Sequence, residues 1–226
     1  MKITWLGHST WLIETADHHI LIDPFLTGNP SASCAAKDLN VQTILISHGH
    51  SDHIGDAAAI ANRCGALLVA NFEIANWFAE KHHVKNTLGM NLGGKAKMPW
   101  GSVKMTVAWH SSVLPDCTNG GNPGGFVLEL EGKRIYYAGD TALFSDMSLI
   151  SRPALDVAIV PIGDLFTMGP SDSVEATKYL DPKFVLPTHY NTWPPIAQDA
   201  LGWAEMIRSQ TSATPVVLQT GESKII

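Results

Sequence analysis

Residues 47–56 read SHGHSDHIGD, three histidines and two aspartates within ten residues. Titratable side chains are costly to bury singly, so such a stretch is either a solvated polar loop or a cage for metal ions. Its flanks favour the cage. VQTILIS at 41–47 is a run of apolar and β-branched residues that predicts a buried strand. Beyond the motif, Ile54, Ala57, Ala58 and Ala61 recur at helical spacing, and Gly65 stands where a C-terminal cap belongs. His48 and His50, two apart at the end of the strand, send their rings the same way in extended backbone. Asp52 and His53 fall at the start of the helix, across a tight turn. HxHxDH thus offers three imidazoles and a carboxylate from six residues, a donor set that suits Zn²⁺, Mn²⁺ or iron.

Six residues rarely saturate two metals, so a dinuclear site predicts further ligands at other strand ends. Three stand there. His110 ends the alternating run SVKMTVAWH, Asp140 ends RIYYAGD, and His189 ends KFVLPTH. Each follows β-type residues, which predicts that each projects from the same rim of the sheets.

The flanking pattern is strand-rich and then alternating. KITWLG, TWLIET and ILIDPF predict short strands, and TGNPSASCAAKDLN predicts a loop. ALLVAN predicts a strand, FEIANWFAEKHH a helix, and MNLGGKAKMPWG a loop. SVKMTVAWH alternates with period 2, which puts Val103, Met105, Val107 and Trp109 on one face. GFVLEL and KRIYYAGD flank the turn EG as a hairpin. LDVAIVPIG, SVEATKYL, KFVLPTH, a helix through WAEMIRS, and PVVLQT then alternate strand with helix. Strand-rich halves, each followed by β/α alternation, predict an α/β chain of two sheets covered by helices on their outer faces. No composition shift separates the halves, so residues 1–226 are expected to form a single domain.

Composition excludes some partners. The chain has 226 residues, 45% of them hydrophobic, and a net charge of −6 with its 15 Lys and Arg scattered. A nucleic-acid binder needs a basic stripe, and an anionic membrane surface attracts basic clusters; neither is present. No run of 18 apolar residues exists, and Gly7, His8 and Ser9 interrupt any signal-type apolar region near the start. Three cysteines without CxxC spacing fit a reduced, cytoplasmic setting.

HGHSDH at 48–53, His110, the GD of Gly139 and Asp140, His189, and Asp23 of LIDP resemble the ordered motifs of the metallo-β-lactamase superfamily. More narrowly, WLGHST, NFEIANW, AWHSS, GGNPGGF, GDTALFSDM, FTMGP and THYNTWPP resemble a bacterial and archaeal group of metal-dependent hydrolases, itself similar to the ascorbate-6-phosphate lactonases. The resemblance implies an αββα four-layer sandwich with two divalent metal ions at one edge, zinc first, with manganese or iron as alternatives. It implies that His48, His50 and His110 hold one metal, that Asp52, His53 and His189 hold the other, and that Asp140 bridges them. Asp23 would orient the histidine loop by hydrogen bonds. The implied chemistry is attack of a metal-bridging hydroxide on a small ester, lactone or phosphoester, with Asp52 as the catalytic carboxylate that accepts or relays a proton.

Departures from better-known relatives narrow the substrate. Asp140 stands where several true β-lactamases carry a cysteine. Only 37 residues follow His189, too few for the helical substrate domain of glyoxalase II-type thioesterases, and the basic arm of RNA-processing relatives is missing. A small-molecule substrate is expected. The alternatives are a nuclease-type phosphodiesterase, an iron-dependent oxidoreductase, and a non-catalytic metal-binding protein. Assembly as a homo-oligomer is common in this fold, though no sequence feature fixes a symmetry.

Other residues divide between the site and the scaffold. His8, Asn191 and Thr192 are candidates for contacts to a ligand or the substrate, and Asp164, Met168 and Gly169 for a pocket lip. Gly121–Gly125, GNPGG, reads mainly as a tight turn before a strand, with anion binding as the alternative. His18, His19, His82 and His83 are expected at turns or helix ends. Trp5, Trp11, Trp109 and Trp203 are expected in the core, and Trp193 beside the cleft.

Overall fold

A computed structural model describes all of residues 1–226, and the chain folds as two compact units. The first comprises Met1–Gly94, Ser111–Pro123 and Leu218–Ile226; the second comprises Lys95–His110 and Gly124–Val217.

The first unit is built on a seven-stranded sheet. Its strands are β1 (Lys2–Gly7), β2 (Thr10–Glu14), β3 (His19–Ile22), β4 (Thr43–Leu45), β5 (Leu67–Asn71) and β6 (Thr87–Met90), with Ser223–Ile225 on the free edge of β1. Strands β1 to β3 pair antiparallel through short turns, and β3 to β6 pair parallel. Parallel pairing needs crossovers: α1 (Ser51–Ile54) and α2 (Ala57–Cys64) lie between β4 and β5, α3 (Phe72–His82) between β5 and β6, and the β3–β4 connection holds a short 3-10 helix, Ala36–Asp38. Ile20, Leu21, Ile22, Ile44, Leu45, Leu68 and Val69 are all buried, as strands covered on both faces must be. Ile60 of α2 and Ile74 and Phe78 of α3 pack into the same core, each such side chain contributing about 1.5–3 kcal/mol.

Local chemistry sets the helix ends. Gly65 closes α2 in the left-handed region at φ 65°, as its position in the sequence predicts. Asn71 caps α3 by accepting the Ile74 N–H at 2.8 Å. Its amide also donates to the carbonyls of Gly120 (2.6 Å) and Asn122 (3.0 Å), holding the GNPGG stretch.

The second unit repeats the plan. Its sheet runs in chain order: β7 (Lys95–Met98), β8 (Gly101–Val107), β9 (Gly124–Leu130), β10 (Lys133–Tyr137), β11 (Val157–Pro161), β12 (Phe184–Thr188) and β13 (Thr214–Pro215). Strands β7 to β10 are antiparallel and β10 to β13 parallel. Helices α4 (Met147–Ile150), α5 (Pro170–Leu180) and α6 (Ala200–Gln210) complete it. The buried indole of Trp203 in α6 donates to Ser173 Oγ in α5 at 2.7 Å, joining the two helices.

Four expectations are corrected. The helix after the histidine motif is broken into α1 and α2, because Asp56 at the break turns its carboxylate to the Leu26 N–H (2.7 Å), the Thr27 N–H (2.8 Å) and the Thr27 hydroxyl (2.6 Å). The presumed loop 90–101 contains β7, which pairs with β8 from Met98 opposite Gly101. The strand expected over 215–220 ends at Pro215, although Val216 still donates to Val185 O. Val103 and Met105 are buried, but Val107 and Trp109 are exposed. Val107 lies opposite Gly124, which has no side chain to pack on, and Trp109 lies beyond the strand end.

Gly7 ends β1 at φ 109°, and a Cβ there would overlap the Ser31 carbonyl. An L side chain pays backbone strain in this region of about 1–3 kcal/mol before any clash. Gly7→Ala should therefore destabilise the protein by about 2 kcal/mol or more, read as a lower denaturant midpoint at unchanged slope.

Candidate metal centre

Every candidate ligand follows a strand. In the first sheet, His8 follows β1, Asp23 follows β3, and the histidine motif follows β4, three strands that run in the same direction. In the second sheet, His110 follows β8, Asp140 follows β10 and His189 follows β12, again with one shared direction. Within each unit, these residues therefore leave the sheet along the same edge.

In the first unit, the cluster hangs on the buried carboxylate of Asp23. Its Oδ1 accepts the Ser47 N–H (2.8 Å), and its Oδ2 accepts the Ser47 hydroxyl (2.6 Å) and His53 Nδ1–H (2.8 Å). With its proton committed to Asp23, Ser47 Oγ accepts His48 Nδ1–H at 2.9 Å. Both rings are thereby fixed with Nε2 as the outward nitrogen. His48 Nε2 lies 2.9 Å from His50 Nδ1, and the His48 and His53 ring centroids are 4.1 Å apart. Buried His8 lies 3.2 Å through Nε2 from Asp52 Oδ2, with its ring edge-on to Phe25 and His53. Asp52 Oδ2 is 4.0 Å from His53 Nε2, and its carboxylate is partly open to solvent.

In the second unit, Asp140 is the centre. Its Oδ2 lies 3.0 Å from His189 Nε2 and 3.7 Å from His110 Nε2. Asp140 and His189 are buried. The neighbouring Thr141 holds the His110 segment, since the Trp109 N–H donates to Thr141 Oγ1 (2.9 Å) and the Ala142 N–H to Trp109 O (3.1 Å). Gly163 leaves space for His189; a Cβ there would overlap the His189 carbonyl and stand 3.1 Å from Nδ1.

Strain marks both clusters. His8 (φ 53°), Asp23 (φ 44°), His189 (φ 55°) and Asn191 (φ 58°) all occupy the left-handed region. Each costs on the order of 1–2 kcal/mol, which the surrounding hydrogen bonds must offset. Asn191 Oδ1 accepts the Gln198 N–H at 2.7 Å, so this side chain orders its own loop. Thr192 and Met168 are buried, Trp193 is partly buried, and exposed Asp164 turns its loop at φ 67°.

The remaining histidines lie elsewhere. His18 closes the β2–β3 turn and His19 opens β3, bonded to Thr43 Oγ1 (2.9 Å) and Asn40 O (3.0 Å) respectively, and burial lowers the pKa of His18 from its ordinary value. His82 and His83 are exposed at the end of α3. The sequence reading missed Ser47, Thr141 and Gly163, although each stands within one or two residues of a candidate ligand or packs directly against one. It also missed Ser112, whose hydroxyl accepts the Gly49 N–H (3.1 Å) and donates to Gly120 O (2.9 Å).

Residues 2–189 match the family described as Beta-lactamase superfamily domain. The chain belongs to that superfamily. It is 50% identical over 210 residues to a UPF0173 metal-dependent hydrolase of Thermus thermophilus, covering 93% of this chain and 92% of the relative. A UPF0173 metal-dependent hydrolase of Pelotomaculum thermopropionicum is 47% identical over 228 residues, with 99% of each chain covered. Such identity over nearly full length places the chain in this family of metal-dependent hydrolases. A metallo hydrolase of the archaeon Ignicoccus hospitalis superposes with a TM-score of 0.88 at 35% identity, covering 99% of this chain and 97% of the other. The metallo-β-lactamase fold expected from the motifs is the fold of this protein.

The donor set fits metal ions. In the first unit His48 Nε2 lies 2.9 Å from His50 Nδ1 and Asp52 Oδ2 lies 4.0 Å from His53 Nε2, and imidazole with carboxylate is a borderline donor set for first-row divalent ions. Removing Asp23 strands the Ser47 and His53 donors. Asp23→Ala should cost the metal-free protein about 1–3 kcal/mol, seen in chemical denaturation. The same variant should bind zinc 10–100-fold more weakly in competition with a chromophoric chelator, as loss of an orienting carboxylate typically does at about that scale.

Proposed function

We propose that the chain works as one domain, residues 1–226, and hydrolyses a small-molecule ester, lactone or phosphoester with two divalent metal ions, zinc foremost and manganese or iron as alternatives. In this reading His48, His50 and His110 hold one ion, Asp52, His53 and His189 hold the other, and Asp140 bridges them. The observation that carries it is the pair of imidazole and carboxylate clusters, one around His48 and His53 and one around Asp140, each largely buried. The order of motifs through residues 2–189, a span that runs through both units, supports treating the clusters together.

When bound, the ions would supply Lewis acidity, polarising the substrate oxygen and lowering the pKa of the attacking water towards neutrality. The protein's own residues hold and move the protons. Asp23 and Ser47 commit Nδ1 of His53 and His48, leaving Nε2 of each ring to carry a lone pair outward. Asp52, bonded to His8 and partly open to solvent, is suited to accept a proton from the attacking water and to return it to the leaving oxygen. His8 orients Asp52 through its Nε2 contact at 3.2 Å.

No helix is long and apolar enough to cross a membrane. A cytoplasmic site of action and a substrate that is not a nucleic acid belong to the same proposal, supported by the free cysteines and the net charge of −6. Self-association into a homo-oligomer also belongs to it.

Elemental analysis of protein purified without chelators tests the proposal first. The wild type should carry about two metal ions per chain, and Asp140→Ala clearly fewer. Removing metal by dialysis against a chelator should abolish hydrolysis, and adding back zinc or manganese should restore it. One ion, unaffected by Asp140→Ala, would overturn the dinuclear reading.

A further inference from the structure

Among the large apolar side chains of the second unit that face solvent are Trp109 (65% exposed), Leu165 (67%) and Phe166 (56%). Exposed apolar residues scattered singly need no explanation, but these three are tethered to one point. Trp109 directly precedes His110 and is held through both its N–H and its carbonyl by Thr141 and Ala142, the two residues after Asp140. Leu165 and Phe166 lie in the loop between β11 and α5, whose Met168 N–H donates to Thr141 O at 2.9 Å. Near the start of that loop, Gly163 packs against His189. The backbone therefore delivers all three to the segments that carry Asp140, His110 and His189.

The segments that carry the candidate ligands contain no cationic side chain of their own. No Lys or Arg occurs in residues 3–36, 38–62, 105–132, 135–151, 153–177 or 184–207, which hold every candidate ligand. Several cations of the second unit are engaged elsewhere: Lys95 with Glu129 (2.5 Å), Lys133 with Asp156 (3.5 Å), Lys178 with Glu175 (2.5 Å) and Arg208 with Glu205 (2.5 Å). Phosphoryl oxygens are ordinarily met by Arg or Lys in addition to metal ions, because the transferred group carries charge that must be neutralised. An uncharged acyl group needs no such clamp.

We infer that the substrate is an uncharged carboxylic ester or lactone bearing an apolar acyl group, and that Trp109, Leu165 and Phe166 receive that group. The inference rests on the hydrolase reading above and narrows it by setting phosphoesters aside. In the reaction, the oxygen of water bonds to the carbonyl carbon, the bond from that carbon to the alcohol oxygen breaks, and the proton released by water ends on the departing alcohol. The three apolar residues take no part in bond making; they set specificity.

The test uses the full chain with its metal ions in place and compares p-nitrophenyl acetate, butyrate and hexanoate with p-nitrophenyl phosphate and bis(p-nitrophenyl) phosphate. From acetate to hexanoate kcat/KM should rise by about tenfold or more, since each buried methylene adds discrimination. Both phosphates should be slower than the hexanoate by roughly 100-fold, the scale on which losing charge neutralisation acts. Trp109→Ala and Phe166→Ala should each bring the hexanoate-to-acetate ratio towards one while metal content stays at the wild-type level. Calorimetry with hexanoate, the product, gives a readout independent of turnover: binding should show a negative heat-capacity change that Trp109→Ala diminishes.

Phosphates turned over faster than esters, or no dependence on chain length in the wild type, would overturn the inference and leave the hydrolase reading intact. No turnover of either class by protein carrying its metals would remove both. Wild-type dimers that Trp109→Ala converts to monomers, with the chain-length ratio unchanged, would assign the apolar surface to a second copy of the chain and overturn the inference.

Discussion

A single buried carboxylate organises the first cluster. Asp23 is fully buried, so its carboxylate must be met by donors, and the histidine loop supplies the Ser47 amide, the Ser47 hydroxyl and His53 Nδ1. Because the Ser47 hydroxyl proton points at Asp23, the same oxygen can only accept from His48. One charge thus dictates the protonation pattern of two imidazoles through a serine relay. Thr10 Oγ1 in turn holds the Asp23 carbonyl at 2.8 Å, so the strained φ of Asp23 is braced from the neighbouring strand. The energy that keeps Asp23 left-handed and buried comes from these bonds, and the geometry of the metal-facing nitrogens follows from it.

Much of this was legible in the sequence, for reasons that can be named. HxHxDH after a β-branched run is a dense local signal, and His110, Asp140 and His189 each close a recognisable strand. The fold class followed from strand runs giving way to β/α alternation. Less legible were features that depend on partners distant in the chain. Asp56 reads as one more acid of the motif, but it is spent on the backbone of Leu26 and Thr27, which splits the expected helix. Lys95 and Lys97 give β7 the composition of a loop, and only pairing with β8 makes it a strand. Trp109 fits the period-2 pattern of buried residues, yet the strand stops two residues before it.

Ser47, Thr141 and Gly163 escaped notice because nothing in their own chemistry marks them. A serine relays a proton order only when an acid stands on one side and an imidazole on the other. A glycine makes room only when a histidine arrives from another strand. Such roles are set by contact across the fold, which sequence spacing does not encode.

Each sheet changes from antiparallel to parallel pairing part-way across, and every residue of chemical interest leaves its sheet along one edge. The opposite edge of the second sheet carries turns such as Glu131–Gly132, and the first carries the bend at Ala16–Asp17, closed by the Thr15 N–H donating to His18 O. Stability and chemistry are thereby written on separate borders of the same sheets. A lineage can rewrite the loops along one border and explore new substrates while the hydrogen-bonded strands stay as they are, so the fold carries its own capacity to diversify.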